Sequence, residues 1–344
     1  MNIAIICGGI STERNVSITG GLAVKSALEE LGHNVILIDP AYGADGNNSP
    51  DFNNPDMSKE TTLDDLLKFN LKSYLDCINS NLFDNIDVVF PVLHGRYGED
   101  GTFQSLLEFR NIPYVGSKVA ASALSSDKIR TKLILSSAGV LTPNWTTVNQ
   151  KEINDENIAI DIRNSLGKQI VIKPNDQGST IGLTIVKDGN LDEINKGLEI
   201  AAKYSDLILV ETYIEGRELT VGIVGDEVLP VIEIIPKDGF YDYEHKYQKG
   251  KTEYICPAEL TDDVAEFTQS MALSAYRAVG CSGFARVDFR LDEDNQPFCL
   301  EINSIPGFTS QSLVPMAAKQ IGLSFTDLCQ KLIDLSIEEF RYKK

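Results

Sequence analysis

Histidine is scarce. Three stand far apart in 344 residues, at His33, His94 and His245, so an imidazole-built zinc site is not what organises this chain. Six cysteines are scattered singly (Cys7, Cys77, Cys256, Cys281, Cys299, Cys329) with no C-x-x-C pair. Three lie inside apolar segments, and all six read as reduced thiols rather than a disulfide or metal framework. Positive charge is also short: 31 Lys and Arg face 50 Asp and Glu, a net charge of −19. Such a surface repels phosphate backbones and anionic lipid, which excludes general nucleic-acid and membrane-surface roles. No apolar run reaches the ~18–20 residues of a membrane span, and the opening MNIAIICGG lacks the basic start and cleavage site of a secretory signal. What is present, 42% hydrophobic and 24% charged residues, is ordinary globular composition. The expectation is a soluble, cytoplasmic, multidomain protein.

Residues 2–7 form a short apolar run closed by Gly8-Gly9. Val24, Ala27, Leu28 and Leu31 then recur at helical period, Gly32 ends the helix, and Val35–Ile38 is a second apolar run. This pattern predicts a βαβ unit of a parallel sheet. Between Asp45 and Asp56, Asn, Asp and Pro dominate, and the stretch reads as a polar surface loop without chemistry. A strand at Val88–Leu93 leads into a Gly-rich loop, and the first region closes near residue 116. A helix around Ser126–Ser136 opens the second region, with strands at Gln169–Lys173, Gly182–Val186 and Leu207–Glu211. The third region holds strands at Glu218–Val224 and Val228–Ile235, a tyrosine-rich loop over 240–254, a helix over 262–279, a hairpin over 283–303 and a C-terminal amphipathic helix from Leu323.

Three familiar patterns fail. Cys7-Gly-Gly-Ile-Ser is not G-x-G-x-x-G, although Asp39 stands where a ribose-binding acid would. Gly250-Lys-Thr lacks the first glycine of a phosphate loop, since position 245 is His. Asp292-Glu-Asp294 is followed by Gln296 and Pro297, which an EF-hand does not tolerate.

The hairpin Arg286-Val-Asp-Phe-Arg-Leu, turn, Phe298-Cys-Leu-Glu-Ile-Asn303 is more telling. With period two, Val287, Phe289 and Leu291 share a face with Phe298, Leu300 and Ile302. The other face carries Arg286, Asp288 and Arg290, with Cys299, Glu301 and Asn303 across from them. A turn at Asp294-Asn295 sets Asp288 opposite Glu301 and Arg286 opposite Asn303. Like charges in direct register repel, and a hard cation such as Mg²⁺ would relieve that; a solvated face neutralised by the arginines is the alternative. Lys173-Pro-Asn-Asp-Gln-Gly178-Ser179 is a strand running into a small polar loop whose amides and lysine suit phosphate. Lys128 at a helix start, and Glu211 and Glu218 between the second and third regions, are weaker signals.

Together, in order, these segments resemble the D-alanine–D-alanine ligases of the ATP-grasp superfamily. They are Gly8-Gly-Ile-Ser-Thr-Glu13-Arg-Asn-Val-Ser17, Leu93-His-Gly-Arg-Tyr-Gly-Glu-Asp-Gly-Thr102, Ser122-Ala-Leu-Ser-Ser-Asp-Lys128, Lys173-Pro-Asn-Asp-Gln-Gly-Ser-Thr180, Tyr241-Asp-Tyr-Glu-His-Lys246-Tyr247, and Glu301-Ile-Asn-Ser-Ile-Pro-Gly-Phe-Thr-Ser-Gln-Ser312-Leu313. The resemblance implies an α/β ATP-grasp fold of three domains, divided as 1–116, 117–212 and 213–344, with ATP between the second and third. It implies two D-alanines joined through an acyl phosphate for peptidoglycan synthesis, with D-lactate or D-serine as alternative acceptors. Lys128 and Lys173 would meet phosphates; Glu211, Glu218 and the backbone of Tyr213 and Ile214 would hold adenine and ribose. Asp288, Glu301 and Asn303 would hold two Mg²⁺ ions, which Mn²⁺ could replace. Glu13 and His94 would flank the first substrate's ammonium, while Arg286 and the Gly307 amide would meet its carboxylate and the later oxyanion. Ser312 and Leu313 would receive the second carboxylate. Lys246 and Tyr247 would lie on a closing loop, with Tyr247 reaching Ser179 and through it Glu13, and setting the acceptor class. Thr212 departs from the family's usual Lys, and His245 from its usual small residue. The family is usually dimeric, so a homodimer is expected.

Overall fold

A computed structural model describes residues 1–53, 55–237 and 250–342. The first sheet is parallel, ordered β2-β1-β3, from β1 (Asn2–Ile6), β2 (Asn34–Ile38) and β3 (Val88–Pro91). Its strands read as unbroken apolar runs because both faces are covered. Ile3 and Ile5 pack on α1 (Arg14–Glu30) through Val24 and Leu28, while Ala4 and Ile6 face the opposite core. The βαβ unit is as the periodicity predicts, with α1 reaching back to Arg14. Gly8 has φ +84°, and a Cβ there would lie 2.6 Å from an Asp39 carboxylate oxygen, so only glycine fits this turn.

The Asn/Asp-rich stretch lies at the surface as expected, with Asp45, Asn47, Asn48, Asn53 and Asp56 exposed. It differs in forming two short 3-10 helices, Pro40–Asn48 and Pro50–Asn53, and in supplying an ion-pair partner, Asp51. Fully buried Asp39 pairs with Arg14, which is joined on its other side by Asp51 at 2.7 Å and lies over the Phe69 ring. A buried guanidinium needs such partners, and composition alone does not reveal them. Two small helices, α2 (Leu63–Leu66) and α3 (Lys72–Ile78), follow, and α4 (Thr102–Phe109) closes the first sheet's second face.

Next come α5 (Val119–Ser126) and α6 (Lys128–Ser137), whose apolar side chains join the core of the third sheet. The second sheet is antiparallel, ordered β4-β7-β5-β6: β4 (Trp145–Asn149), β5 (Ile170–Pro174), β6 (Thr184–Val186) and β7 (Leu207–Thr212). Edge strand β4, whose Thr-rich run carries no strong apolar alternation, is an addition to the strands read from sequence. Helices α7 (Ile158–Leu166) and α8 (Leu191–Ala201) cover one face of this sheet.

The third sheet is ordered β11-β10-β8-β12-β13, with β9 beside β8. Its strands are β8 (Arg217–Val224), β9 (Glu227–Val228), β10 (Ile232–Pro236), β11 (Thr252–Ile255), β12 (Phe284–Leu291) and β13 (Pro297–Asn303). Residues 252–254, expected as the end of a loop, therefore belong to a strand, paired with β10. On one face lies α9 (Asp262–Val279); on the other, α10 (Leu313–Gln320) and α11 (Phe325–Tyr342) share a core with the first sheet. Phe308 fills the seam, its ring 5.6 Å from Phe90 and 5.1 Å from Phe284. No helix among the described residues is long and apolar enough to cross a membrane.

Candidate active site

The β12–β13 register sets Asp288 opposite Glu301 and Arg286 opposite Asn303, as the period-two reading requires. A bulge then intervenes. Phe289 pairs with Cys299 rather than Leu300, so the facing assigned to the second strand is corrected beyond Glu301. Cys299 is fully buried with Phe289 and Leu291, and Leu300 turns to the cavity side. One inserted residue flips every later side chain, and period counting does not show where it falls.

Three cavities meet at this hairpin; one of about 300 Å³ is lined by Gly95, Glu99, Lys128, Glu301 and Asn303, and the other two gather most of the expected site residues. The larger, about 320 Å³, is lined by Glu13, His94, Ser179, Arg286, Glu301, Asn303, Gly307, Ser312 and Leu313. The smaller, about 170 Å³, is lined by Lys128, Lys173, Glu211, Tyr213, Ile214, Glu218, Asp288 and Glu301. Gly178, Ser179 and Glu301 belong to both, so the cavities adjoin at one carboxylate and one Gly-Ser loop.

In the smaller cavity each charge is held on a regular element. Lys128 opens α6, where the Asp127 side chain caps the helix; its ammonium donates to the Gln177 carbonyl at 2.6 Å and lies 3.3 Å from Glu301. Lys173 on β5 sits 2.5 Å from the buried Glu211 carboxylate on β7. Burial opposes charge on Glu211, but Lys173 and Lys132 outweigh it and hold the group below the ordinary carboxylate range. Glu218 faces Arg290 at 3.6 Å. Arg290 also donates to the Ile214 carbonyl, while the Tyr213 amide donates to Gln169. Among the described residues the Tyr213 carbonyl and the Ile214 amide of that dipeptide have no other hydrogen bond, an acceptor followed by a donor. Val171, Ile181, Leu183, Ile185 and Leu300 supply apolar walls.

In the larger cavity Arg286, Glu301 and Asn303 stand on the β12–β13 hairpin, and the other groups come from loops and helix ends. Glu13, at the N-terminal end of α1, accepts a 2.5 Å hydrogen bond from the Ser179 hydroxyl. Ser179 and Thr180 both have positive φ, a strained pair next to Gly178 at the point where the cavities join. His94 is buried with Nδ1 3.3 Å from Glu99; burial disfavours its charge, yet Glu99 raises its pKa above the ordinary value. Ser312 stands at the start of α10 and accepts from the Thr309 amide at 2.9 Å. Lys246 and Tyr247, with His245, lie outside the described residues.

The three expected metal ligands share one strand-pair face. Asp288 accepts four hydrogen bonds, two from Arg286 at 2.8 Å, one from Thr220 and one from the Asn303 amide nitrogen. That last contact orients the Asn303 side chain, whose remaining polar atom is its oxygen. Among the described residues no three His, Cys, Asp or Glu form a metal-holding group, so a cation here would have two carboxylates and an amide oxygen as donors. Such oxygen donors fit a hard divalent cation.

Residues that went unnoticed in the sequence also line or brace the site. Lys132 lies one turn after Lys128 on α6, an i,i+4 spacing that could have flagged it. Met57, just past the Asn/Asp-rich stretch, lines the larger cavity, and no sequence signal marks it.

Two antiparallel sheets closing on a lysine- and carboxylate-lined cavity define the ATP-grasp class of fold. Its solved examples include D-alanine–D-alanine ligase from Bacillus anthracis complexed with ATP, which matches at TM-score 0.76 and 29% identity over 100% of both chains. A D-Ala:D-Ser ligase from Enterococcus faecalis matches at TM-score 0.76 and 30% identity, over 98% of this chain and 99% of its own. In sequence, models of the D-ala D-ala ligase N-terminus and C-terminus match residues 2–117 and 134–334. D-alanine–D-alanine ligase of Moorella thermoacetica is 41% identical over 344 residues, 98% of this chain and 100% of the relative. The chain belongs to the D-alanine–D-alanine ligase family.

Proposed function

We propose that this chain joins two D-alanines into D-alanyl-D-alanine with ATP, releasing ADP and phosphate, as a cytoplasmic homodimer that supplies peptidoglycan precursors. The observation that carries the reading is the junction. A cavity lined by Glu13, His94 and Arg286 and a cavity with paired lysines and apolar walls adjoin at Glu301 and Ser179. Such a layout suits transfer of a phosphoryl group from a nucleotide on one side to a carboxylate on the other.

A carboxylate does not acylate an amine at neutral pH, because oxide is a poor leaving group. In the first step an oxygen of the first D-alanine's carboxylate attacks the γ-phosphorus, the bond to ADP breaks, and an acyl phosphate forms. In the second, the neutral amine of the second D-alanine attacks the acyl carbon, loses a proton, and phosphate departs. Lys128 and Lys173 would draw the phosphates, with adenine met by Glu211 and the Tyr213–Ile214 acceptor and donor, and ribose by Glu218. Asp288, Glu301 and Asn303 would hold two Mg²⁺ ions, or Mn²⁺ in their place, which offset the charge of the reacting anions. Arg286 would then give up Asp288 and turn to the substrate carboxylate, sharing the developing oxyanion with the Gly307 amide. Glu13, steadied by Ser179, would receive the first ammonium, with His94 near it. Ser312 and Leu313 open α10, whose N-terminal amides suit the second carboxylate. Lys246 and Tyr247 would close over the site, and a neutral Tyr247 favours an amine acceptor over D-lactate. The three-part division 1–116, 117–212 and 213–344 completes this reading.

The test is phosphate release with ATP, Mg²⁺ and D-alanine, run with D-alanine, D-serine and D-lactate as acceptors at mildly acidic to mildly basic pH. Dipeptide is expected as the dominant product near pH 8. Dominant ester or D-alanyl-D-serine product would move the chain to another acceptor, and no D-alanine-dependent phosphate release would overturn the reading.

A further inference from the structure

Lys132 is fully buried, yet it lines neither cavity. Its ammonium donates to the Thr142 hydroxyl at 2.6 Å and the Pro143 carbonyl at 3.3 Å, and lies 2.8 Å from one Glu211 oxygen as an ion-pair contact. The other Glu211 oxygen is held by Lys173 at 2.5 Å. Glu211 thus has two lysine partners of different kinds. One is sealed in the protein; the other stands in the cavity wall.

This matters because Lys173 is paired in this structure with Glu211. A lysine that meets phosphates has to leave that carboxylate. If Lys173 were its only partner, departure would strand a buried negative charge, and the loss would oppose nucleotide binding. With Lys132 fixed on the far oxygen, Glu211 keeps a counter-charge throughout. The oxygen that Lys173 vacates is then open to a hydrogen-bond donor on the base.

We propose that Lys132 is a positioning residue: the resident counter-ion of Glu211, which lets Lys173 pass from Glu211 to the nucleotide's phosphates. The proposal rests on the reading above that Lys173 meets phosphates. It ties phosphate recognition to base recognition through one carboxylate, since the same movement frees Glu211 for the base. Lys132 touches no ligand, so its effect on the nucleotide runs through Glu211 alone.

The experiment is calorimetric titration of the full chain with adenosine, ADP and ATP in Mg²⁺, using wild type, Lys132→Met, Lys132→Arg, Glu211→Gln and the Lys132→Met/Glu211→Gln double variant. Wild type should bind ATP more tightly than adenosine. Absence of that preference would defeat the phosphate reading itself, separately from the proposal. In Lys132→Met, Lys173 stays on Glu211, and ATP should weaken by ~10-fold or more relative to adenosine, the scale of one charged hydrogen bond. Lys132→Arg should restore most of the ATP-to-adenosine ratio. In the Glu211→Gln background, Lys132→Met should leave that ratio unchanged, because no carboxylate remains to hold Lys173. This comparison also serves if Lys132→Met alone does not fold. An equal loss for adenosine and ATP in Lys132→Met would mark a merely structural lysine. A changed ratio in the Glu211→Gln background would show a route other than Glu211. Either result overturns the proposal.

Discussion

The two cavities are built by different means. Around the smaller one, the charges sit in the middle or at the ends of regular elements: Lys173 on β5, Glu211 on β7, Lys128 on α6, Glu218 on β8 and Asp288 on β12. Strand register and a helix cap fix them, and each is already ion-paired, Lys173 with Glu211, Lys128 with Glu301, Glu218 with Arg290 and Asp288 with Arg286. Around the larger one, Glu13, Ser179, Gly307 and Ser312 stand on loops or helix starts that meet only through tertiary packing. The contrast teaches that pre-paired charges on rigid strands can wait for a large polyanion, while a small substrate's site is assembled from separate chain segments. Mutations on the two sides should differ accordingly.

The largest effect is expected where the cavities join. Glu301→Gln should leave thermal unfolding near wild type but lower turnover by ~10²–10³-fold, the usual scale for lost transition-state electrostatics. Steady-state rates with saturating ATP check it, and normal Mg²⁺-dependent turnover would remove Glu301 from the chemistry. Next comes a stability effect on the loop-built side. Arg14→Met leaves Asp39 buried without its partner and should destabilise the fold by about 3 kcal/mol, read by urea unfolding. Ser179→Ala should raise the KM for D-alanine by ~10-fold, one charged hydrogen bond to Glu13, with nucleotide affinity held within a few-fold by calorimetry. Comparable losses for both ligands would erase the distinction between the cavities.

The smallest effect is a pH dependence of stability. His94 and Glu99 both titrate above their ordinary values in the folded protein, Glu99 because burial disfavours its charge. The folded state therefore holds protons that the unfolded chain has released. The stabilisation from His94 is fully present below its ordinary 6.5 and is lost as pH rises through its higher folded value. Unfolding midpoints should fall from pH 6 to pH 8, and the slope should flatten in Glu99→Gln. A midpoint that rises over that range would contradict the pairing.

Legibility in the sequence follows the same division. The hairpin could be read, because alternation with period two sets Asp288 against Glu301 without tertiary information. The bulge beyond Glu301 could not, because an inserted residue leaves no trace in composition. The parallel βαβ unit was legible from apolar runs and helical spacing. The partners of Arg14 were not, since Asp39 and Asp51 lie 25 and 37 residues away and the segment holding Asp51 reads as polar loop. Lys132 was hidden for a related reason: a lysine on a helix is ordinarily solvated, and only the strand bearing Glu211 turns it inward. The roles in the larger cavity came from family resemblance, whereas the metal-site inference had its own physical warrant in like charges set in register.

The central claim is that a carboxylate in the larger cavity takes a phosphoryl group from a nucleotide in the smaller. The direct measurement is the fate of carboxylate oxygen. D-alanine labelled with ¹⁸O in its carboxylate is incubated with ATP and Mg²⁺, and the phosphate is read by mass spectrometry. An acyl phosphate between the cavities predicts one labelled oxygen in the inorganic phosphate for each dipeptide formed. Unlabelled phosphate, with both carboxylate oxygens of the first D-alanine accounted for elsewhere, would contradict it.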